Sequence, residues 1–299
     1  MRDALEAWLR PLREVPLALC PVTLRATAEA RWAEPLNTLL RGVLGSRLRA
    51  LRCLTGAPDC GGCPHTMTCD YAGLFETPGA RTPGAHGARG VHPFWLRGVP
   101  AVQSLAAGSV VNAELWAVGF GVPLLPYLEV SLREAAARLQ PTPLVGLPGQ
   151  GGPRAWPHAS YSSDTWKIET LTPCVVDPDL ERGRRSCPGA PWLPVLVRAM
   201  VRRAATLMGA FAPEIEREPA PLLDLSRVEI LGGGLTRWSA SRFSARQGQW
   251  VPLRGWTGSL TVRGDVLWDI GPLFQVAART GIGKNTALGF GGLRISMIL

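Results

Sequence analysis

Lysine, histidine and long apolar runs are all scarce in this 299-residue sequence. No apolar run reaches the ~18 residues that a membrane-spanning helix needs. The first residues also lack the basic-then-apolar pattern of a secretory signal. These absences argue against an integral membrane or secreted protein, so we expect a cytoplasmic protein that makes no membrane contact. Because 46% of its residues are hydrophobic, the sequence predicts a globular protein rather than a disordered one.

Arginine supplies nearly all of the positive charge. Only Lys167 and Lys284 are lysines among the 32 basic residues, and the formal net charge is +9. A GC-rich coding sequence explains most of the preference for arginine over lysine, because alanine, glycine and proline are abundant as well. The excess of positive charge still indicates a polyanionic partner, and nucleic acid fits best.

The spacing of apolar residues predicts two α+β halves in which the elements follow a similar order. The predicted helices span 35–52, 125–139, 190–210 and 268–279. The predicted strands span 15–30, 104–120, 166–172, 225–231 and 256–263. The stretch 140–163 is rich in proline and glycine and indicates a linker or long loop. We therefore expect tandem ferredoxin-like domains, one over 1–150 and the other over 160–299.

A glycine-rich segment runs from Gly281 to Gly292. A nucleotide-binding P-loop would need G-x-x-x-x-G-K-[ST], whereas Ala278 stands at the first glycine position and Asn285 follows Lys284. Glycine lets a backbone approach a ligand closely, with its N–H groups facing outward. We therefore expect the segment to bind an anionic ligand that is rich in backbone phosphate. The candidate binding residues are Gly281, Gly283, Lys284, Asn285, Thr286, Gly289 and Gly291.

Four cysteines follow one another closely as Cys53-x6-Cys60-x2-Cys63-x5-Cys69. Four thiolates at this density can enclose a tetrahedral metal site, for which Zn²⁺ is the commonest occupant and a [4Fe–4S] cluster the alternative. His65 could replace one cysteine, and plain buried or free thiols are the remaining interpretation. Disulfides do not suit the expected compartment. If a metal is bound, we expect a structural zinc ion, because four protein ligands leave no open position for catalysis.

Six segments carry a resemblance to a known family. They read RGVLGSRLRALRC at 41–53, CDYAGLFE at 69–76, HPFWLR at 92–97, RFSARQ at 242–247 and PLRGWTG at 252–258, followed by the terminal glycine-rich segment. Their order and spacing resemble those of the RAMP superfamily of CRISPR-associated RNA-binding proteins. Within it, the chain is similar to the endoribonucleases that cleave CRISPR repeats to mature guide RNA. The resemblance also implies tandem ferredoxin-like RAMP domains, with a helical, cysteine-containing insertion in the N-terminal half.

The resemblance implies an RNA-cleaving function that needs no catalytic cofactor. In such enzymes the ribose 2′-OH attacks the adjacent phosphate and leaves a 2′,3′-cyclic phosphate and a 5′-OH. The partner would be the stem-loop of CRISPR repeat RNA. The product crRNA would stay bound, and the protein would join other subunits of a CRISPR effector complex. The reaction needs a base, an acid and cations that stabilise the charged phosphorane.

Histidine, the usual base in this family, is missing from the predicted helix at 35–52. His65 lies in the cysteine cluster, His92 at a strand entry, and His86 and His158 in loops rich in glycine and proline. In lacking a helix histidine, the chain resembles the type IV branch of the family, which is thought to use arginine instead. Arginine stays protonated and can orient the scissile phosphate.

Several arginines are therefore the candidate site residues. The candidate catalytic residues are Arg41, Arg47, Arg242 and Arg246, and the further RNA-binding candidates are Arg49 and Arg254. Trp238, Trp250 and Trp256 are interpreted as core residues, with base stacking as the alternative. Two other functions compete with the nuclease. One is a catalytically silent RAMP subunit of a crRNA effector complex, and the other is a metal-dependent enzyme at the cysteine cluster.

Overall fold

The computed structural model describes residues 1–78, 91–140, 142–147, 151–156, 163–176, 192–215, 219–244 and 247–298. Its helices are α1 (Arg2–Glu14), α2 (Leu36–Arg52), α3 (Leu125–Ala137), α4 (Trp192–Phe211) and α5 (Val266–Thr280). Its strands are β1 (Leu17–Ala26), β2 (Ala30–Arg31), β3 (Phe94–Arg97), β4 (Ser104–Leu105), β5 (Val110–Val118), β6 (Leu144–Leu147), β7 (Gly152–Pro153), β8 (Thr165–Thr170), β9 (Glu229–Ser244), β10 (Gln249–Arg263) and β11 (Leu293–Met297). A π-helical turn covers Ala72–Glu76, and 3-10 helices cover Gly119–Leu124 and Thr286–Leu288.

The first sheet has the strand order β3-β5-β1-β6, and all of its pairs are antiparallel. Along β1, Cys20, Val22, Leu24 and Ala26 are buried, while Pro21 and Arg25 between them are exposed. This alternation gives the sheet one apolar face, on which α3 packs, with α2 packed against α3. In chain order the unit is strand, helix, two strands, helix, strand, with the first strand between the third and fourth. That is the ferredoxin-like arrangement.

The second sheet repeats the same plan with the order β11-β8-β10-β9. Here α4 follows β8 and α5 follows β10, so the chain again runs strand, helix, two strands, helix, strand. The tandem ferredoxin-like fold expected from the sequence is confirmed. Among the described residues, no helix is both long and apolar enough to cross a bilayer.

The two halves share a hydrophobic core. The first helix, α1, belongs to the second half in packing terms, because its buried Leu5, Leu9 and Leu12 join the cluster formed by α4 and α5. From the first sheet, Trp95 enters the same cluster, and its indole Nε1 donates to the carbonyl of Arg279 at 2.7 Å. These contacts fix the position of one sheet relative to the other.

Most of the predicted elements are confirmed within a few residues, and three features differ. The sequence analysis did not predict α1. The predicted linker contains β6, the fourth strand of the first sheet, which pairs with β1. The predicted strand at 225–231 is the start of β9, which continues through Gly232, Gly233 and Gly234 because β10 pairs along its length. Three glycines disfavour a strand by themselves, so cross-strand pairing overrides local propensity here.

Candidate nucleic-acid interface

Arg41 lies on α2 against the π-helical turn. Its guanidinium carbon is 4.1 Å from the centroid of the Phe75 ring, and its Nε is buried without a hydrogen-bond partner. Burial lowers the pKa of Arg41 to about 10, so the side chain stays protonated at neutral pH. Gly45 makes this packing possible, since a Cβ there would lie 2.6 Å from the Phe75 ring. The result is a partly desolvated cation at the surface of the first half.

Arg242 on β9 approaches the same place from the second half. Its positive charge contributes to the lowered pKa of Arg41, after burial, and its Nε also lacks a partner. It also faces Glu34, which precedes α2. Burial raises the pKa of Glu34, while the Thr38 hydroxyl, Arg242 and a backbone group of Phe243 oppose that rise. The structure therefore brings two of the predicted catalytic arginines together, one from each domain.

His92, just before β3, lies beside Arg41. Its Nδ1 is 2.9 Å from the carbonyl oxygen of Leu74. Because a carbonyl can only accept, Nδ1 carries the proton and Nε2 keeps its lone pair. Burial lowers the pKa of His92 to about 4, with the charge of Arg41 as the next cause. The imidazole is thus neutral at pH 7, and it holds the turn after the cysteine cluster against β3.

The glycine-rich segment packs against α2, β3 and the residues that follow β8, and it uses much of its backbone internally. The N–H groups of Ile282, Lys284 and Gly291 donate to backbone carbonyls, and the buried Asn37 amide of α2 donates to the Leu288 carbonyl at 3.0 Å. Gly291 has φ +74, and a Cβ there would overlap the Ile282 carbonyl. These glycines therefore permit close backbone packing, whereas the sequence had suggested N–H groups facing a ligand.

Within the segment, Lys284 and Asn285 present exposed side chains, while Gly281, Thr286, Gly289 and Gly291 are buried and Gly283 is half-buried. Lys284 and Asn285 line an open cavity of about 310 Å³ together with Arg254 of β10. None of the described residues lining it is acidic. The predicted RNA-binding residues Lys284, Asn285 and Arg254 therefore share one basic surface.

Two other predicted arginines, Arg47 and Arg49, have partners elsewhere on the first half. Arg47 forms an ion pair with Glu134 of α3 at 3.0 Å, which explains why it lies within the apolar arc of α2. Arg49 donates to the carbonyl of Ala57 and lies 5.8 Å from the Tyr71 ring centroid, on the cysteine-bearing loop. Arg246 lies outside the described residues.

The four predicted metal ligands, Cys53, Cys60, Cys63 and Cys69, line one small pocket with His65 at the end of α2. None of these four cysteines forms a disulfide, and burial is the main cause of a raised pKa at Cys60. Within the part of the chain that the structure describes, no three His, Cys, Asp or Glu side chains are arranged to hold a metal ion. The structural zinc therefore stays a prediction.

The β9–β10 hairpin carries exposed aromatic side chains near its tip. Phe243 is 45% and Trp250 52% exposed, and their ring centroids are 5.8 Å apart. Trp256 is buried and Trp238 packs on Phe290. Of the three tryptophans considered for stacking, Trp250 alone is exposed. Sequence reasoning missed Phe243 and Glu34, because only the paired hairpin brings them to the arginines.

Comparison with known proteins supports an RNA-processing family. Residues 168–293 match the family model of the CRISPR-associated endoribonuclease Cas6, and residues 15–140 match a model described as an N-terminal domain. No curated protein matches the sequence.

Two solved structures share the fold over nearly the whole chain. A structure described as a Cas6 product complex is 16% identical, covers 94% of this chain and 100% of that chain, and has a TM-score of 0.50. Another, described as a partial Cas6-RT-Cas1–Cas2 complex, is 11% identical, covers 95% of this chain and 46% of that chain, and has a TM-score of 0.51. At these identities the likeness supports the fold alone.

Proposed function

We propose that this chain is a CRISPR-associated endoribonuclease of the Cas6 family, whose model matches residues 168–293, and that it binds the stem-loop of a CRISPR repeat and cuts pre-crRNA without a catalytic metal. The attacking group is the ribose 2′-OH, which forms a bond to the adjacent phosphorus while the bond to the departing 5′-oxygen breaks. The products are a 2′,3′-cyclic phosphate and a 5′-OH.

The observation that carries this proposal is the convergence of Arg41 and Arg242 from the two domains. Each has a buried Nε without a partner, so each guanidinium has donor capacity for an anion. A phosphorane carries more negative charge than the phosphate from which it forms, and cations placed beforehand stabilise it selectively. Two guanidiniums between the domains therefore form a clamp for the scissile phosphate.

The protonation states define what these residues do. Since the pKa of Arg41 is about 10, the arginine serves as a charge and a donor rather than as a base. His92 is neutral at pH 7, but its pKa of about 4 makes its Nε2 a weak proton acceptor. In-line geometry of the bound RNA supplies the remaining acceleration, because orientation alone contributes strongly to intramolecular attack.

Binding would use the basic surface formed by Lys284, Asn285 and Arg254. A-form RNA is recognised mainly through its phosphates and shape, which suits exposed cations on the glycine-rich segment and β10. The exposed pair Phe243 and Trp250 would contact unpaired bases next to the stem. The double variant Lys284→Ala with Arg242→Ala should weaken repeat binding, and wild-type binding should fall steeply with salt. If the affinity for repeat RNA did not change with salt concentration, this surface could not be the RNA-binding site.

Product retention and assembly complete the proposal. The same cations that hold the repeat would keep the cleaved crRNA bound. The protein would then deliver it to other subunits of a CRISPR effector complex. One of the structures with the same fold is described as a partial Cas6-RT-Cas1–Cas2 complex, which supports assembly with other Cas proteins.

The second candidate function is a catalytically silent RAMP subunit that holds crRNA. The observation that favours it is the absence of histidine from α2, where Ser46 is exposed instead. Incubating the protein with repeat RNA in EDTA separates the two functions. Cleavage that leaves a 2′,3′-cyclic phosphate supports the nuclease, whereas tight binding of intact RNA supports the silent subunit.

A further inference from the structure

A second basic pocket lies on the opposite side of Lys284, between α4 and the glycine-rich segment. It has a volume of about 280 Å³. Its polar walls are Arg198, Arg202, Arg203 and Thr206 of α4, together with Lys284. Valine side chains from residues 175, 176 and 195 form the apolar walls. The function proposed above makes no use of α4.

Arg203 is the unusual residue in this pocket. It is only 9% exposed, and its guanidinium carbon lies 5.3 Å from the Trp95 ring centroid. Its Nε and Nη2 are buried and donate to no acceptor. Burial of an unpaired charge is unfavourable by several kcal/mol, and buried polar groups are normally hydrogen-bonded. The two free donors in a pocket wall therefore indicate a missing anionic acceptor.

The described lining of the pocket offers Arg203 no carboxylate to fill that role. None of the described residues lining the pocket is acidic. Arg198 and Arg202 are one helical turn apart on α4, and both are exposed. Arg198 and Lys284 therefore add two further cations to the lining of the pocket. The same burial that leaves Arg203 unpaired lowers its pKa to about 10, so it is still charged at neutral pH.

We propose that this α4 pocket binds a phosphate group of the repeat RNA outside the scissile position, with Arg203 as the buried donor and Arg198 at the mouth. The geometry suits a phosphate, because a guanidinium presents a planar fork of donors to two oxygens of one anion. Lys284 lines both this pocket and the cavity beside Arg254, so one RNA strand can contact both. The inference rests on the proposed RNA-binding function but not on cleavage.

The test compares four proteins: wild type, Arg203→Met, Arg198→Gln and the control Arg138→Gln. Arg203→Met replaces the buried cation with an apolar side chain of similar length, and Arg198→Gln changes an exposed residue that packing does not need. Arg138 is also exposed, at the end of α3 in the other half, so its variant has the same charge change as Arg198→Gln. The RNA probe carries a 2′-deoxy substitution at the cleavage site to prevent cutting. The second probe is inorganic phosphate, compared with potassium chloride at equal ionic strength.

The expected result is that Arg203→Met and Arg198→Gln weaken RNA binding about tenfold or more, the effect of losing one charged hydrogen bond. Arg138→Gln should bind as wild type does. Phosphate should raise the Tm of wild type and of Arg138→Gln, but not of the two pocket variants. Equal RNA affinity in all four proteins would overturn the proposal.

The two probes separate this inference from the proposed function. If wild type fails to bind repeat RNA, but phosphate raises its Tm through Arg198 and Arg203, the RNA function is wrong and the pocket binds a free anion. If repeat RNA binds with equal affinity to all four proteins and phosphate changes no Tm, the pocket assignment is wrong and the RNA function stands.

Discussion

Replacing Arg41 with methionine should lower cleavage while leaving the protein at least as stable. Burial lowers the pKa of Arg41 to about 10, well below the ordinary value of a guanidinium. At about 1.4 kcal/mol for each pKa unit, this corresponds to a cost of about 3 kcal/mol for keeping the charge in the folded protein. The lost contact with Phe75 offsets about 1 kcal/mol of this. We therefore expect the free energy of unfolding to rise by roughly 1–2 kcal/mol.

Cleavage should respond in the opposite direction. Removing one preorganised donor to a charged transition state costs about 10²–10³-fold in rate. The assay is single-turnover cleavage of repeat RNA with excess protein, together with urea unfolding of the free protein. The matched control is Arg138→Met, which removes an exposed arginine far from the clamp. Unchanged cleavage, or a stability loss of more than about 2 kcal/mol, would refute the assignment of Arg41 as an unpaired clamp residue.

Three further predictions follow from particular residues. Because the folded pKa of His92, about 4, is below its usual 6.5, the unfolded state takes up more protons. Stability should thus fall as pH drops from 6.5 towards 4, and His92→Asn should flatten that part of a plot of unfolding free energy against pH. Gly291→Ala should destabilise the fold by about 2 kcal/mol or more in urea titrations, because its φ is +74 and the new Cβ would overlap the Ile282 carbonyl; an unchanged midpoint would contradict this packing. If the cysteine cluster holds zinc, metal analysis should find one ion per chain, Cys60→Ser should lose it with a lower Tm, and cleavage by the metal-free protein should persist.

The sequence predicted the elements well and the site only in part. Local periodicity located α2 to within one residue, since its leucines recur at helical spacing. Arg47, a candidate catalytic residue on the same helix, instead pairs with Glu134 of α3. Periodicity could not predict that Arg41 and Arg242 lie together, because that contact depends on how the two domains pack. No local pattern encodes such a contact.

The role of the glycine-rich segment could also be predicted only in part. Its composition correctly indicated unusual backbone, and Lys284 and Asn285 are exposed as a binding role requires. The glycines themselves serve close packing against neighbouring backbone, as Gly291 does against Ile282. Sequence alone could not separate these two uses of glycine, since both need a missing side chain. The α4 pocket could not be predicted from the sequence either, because Arg203 differs from the other arginines only in being buried.

The most direct test of the account is cleavage of the cognate repeat RNA in EDTA by wild type and by Arg41→Met, with analysis of the product ends. We predict that wild type leaves a 2′,3′-cyclic phosphate and a 5′-OH, and that Arg41→Met binds the RNA but cuts it about 10²-fold or more slowly. Intact RNA bound tightly by wild type, or cleavage that EDTA abolishes, would contradict a metal-independent nuclease built on arginine.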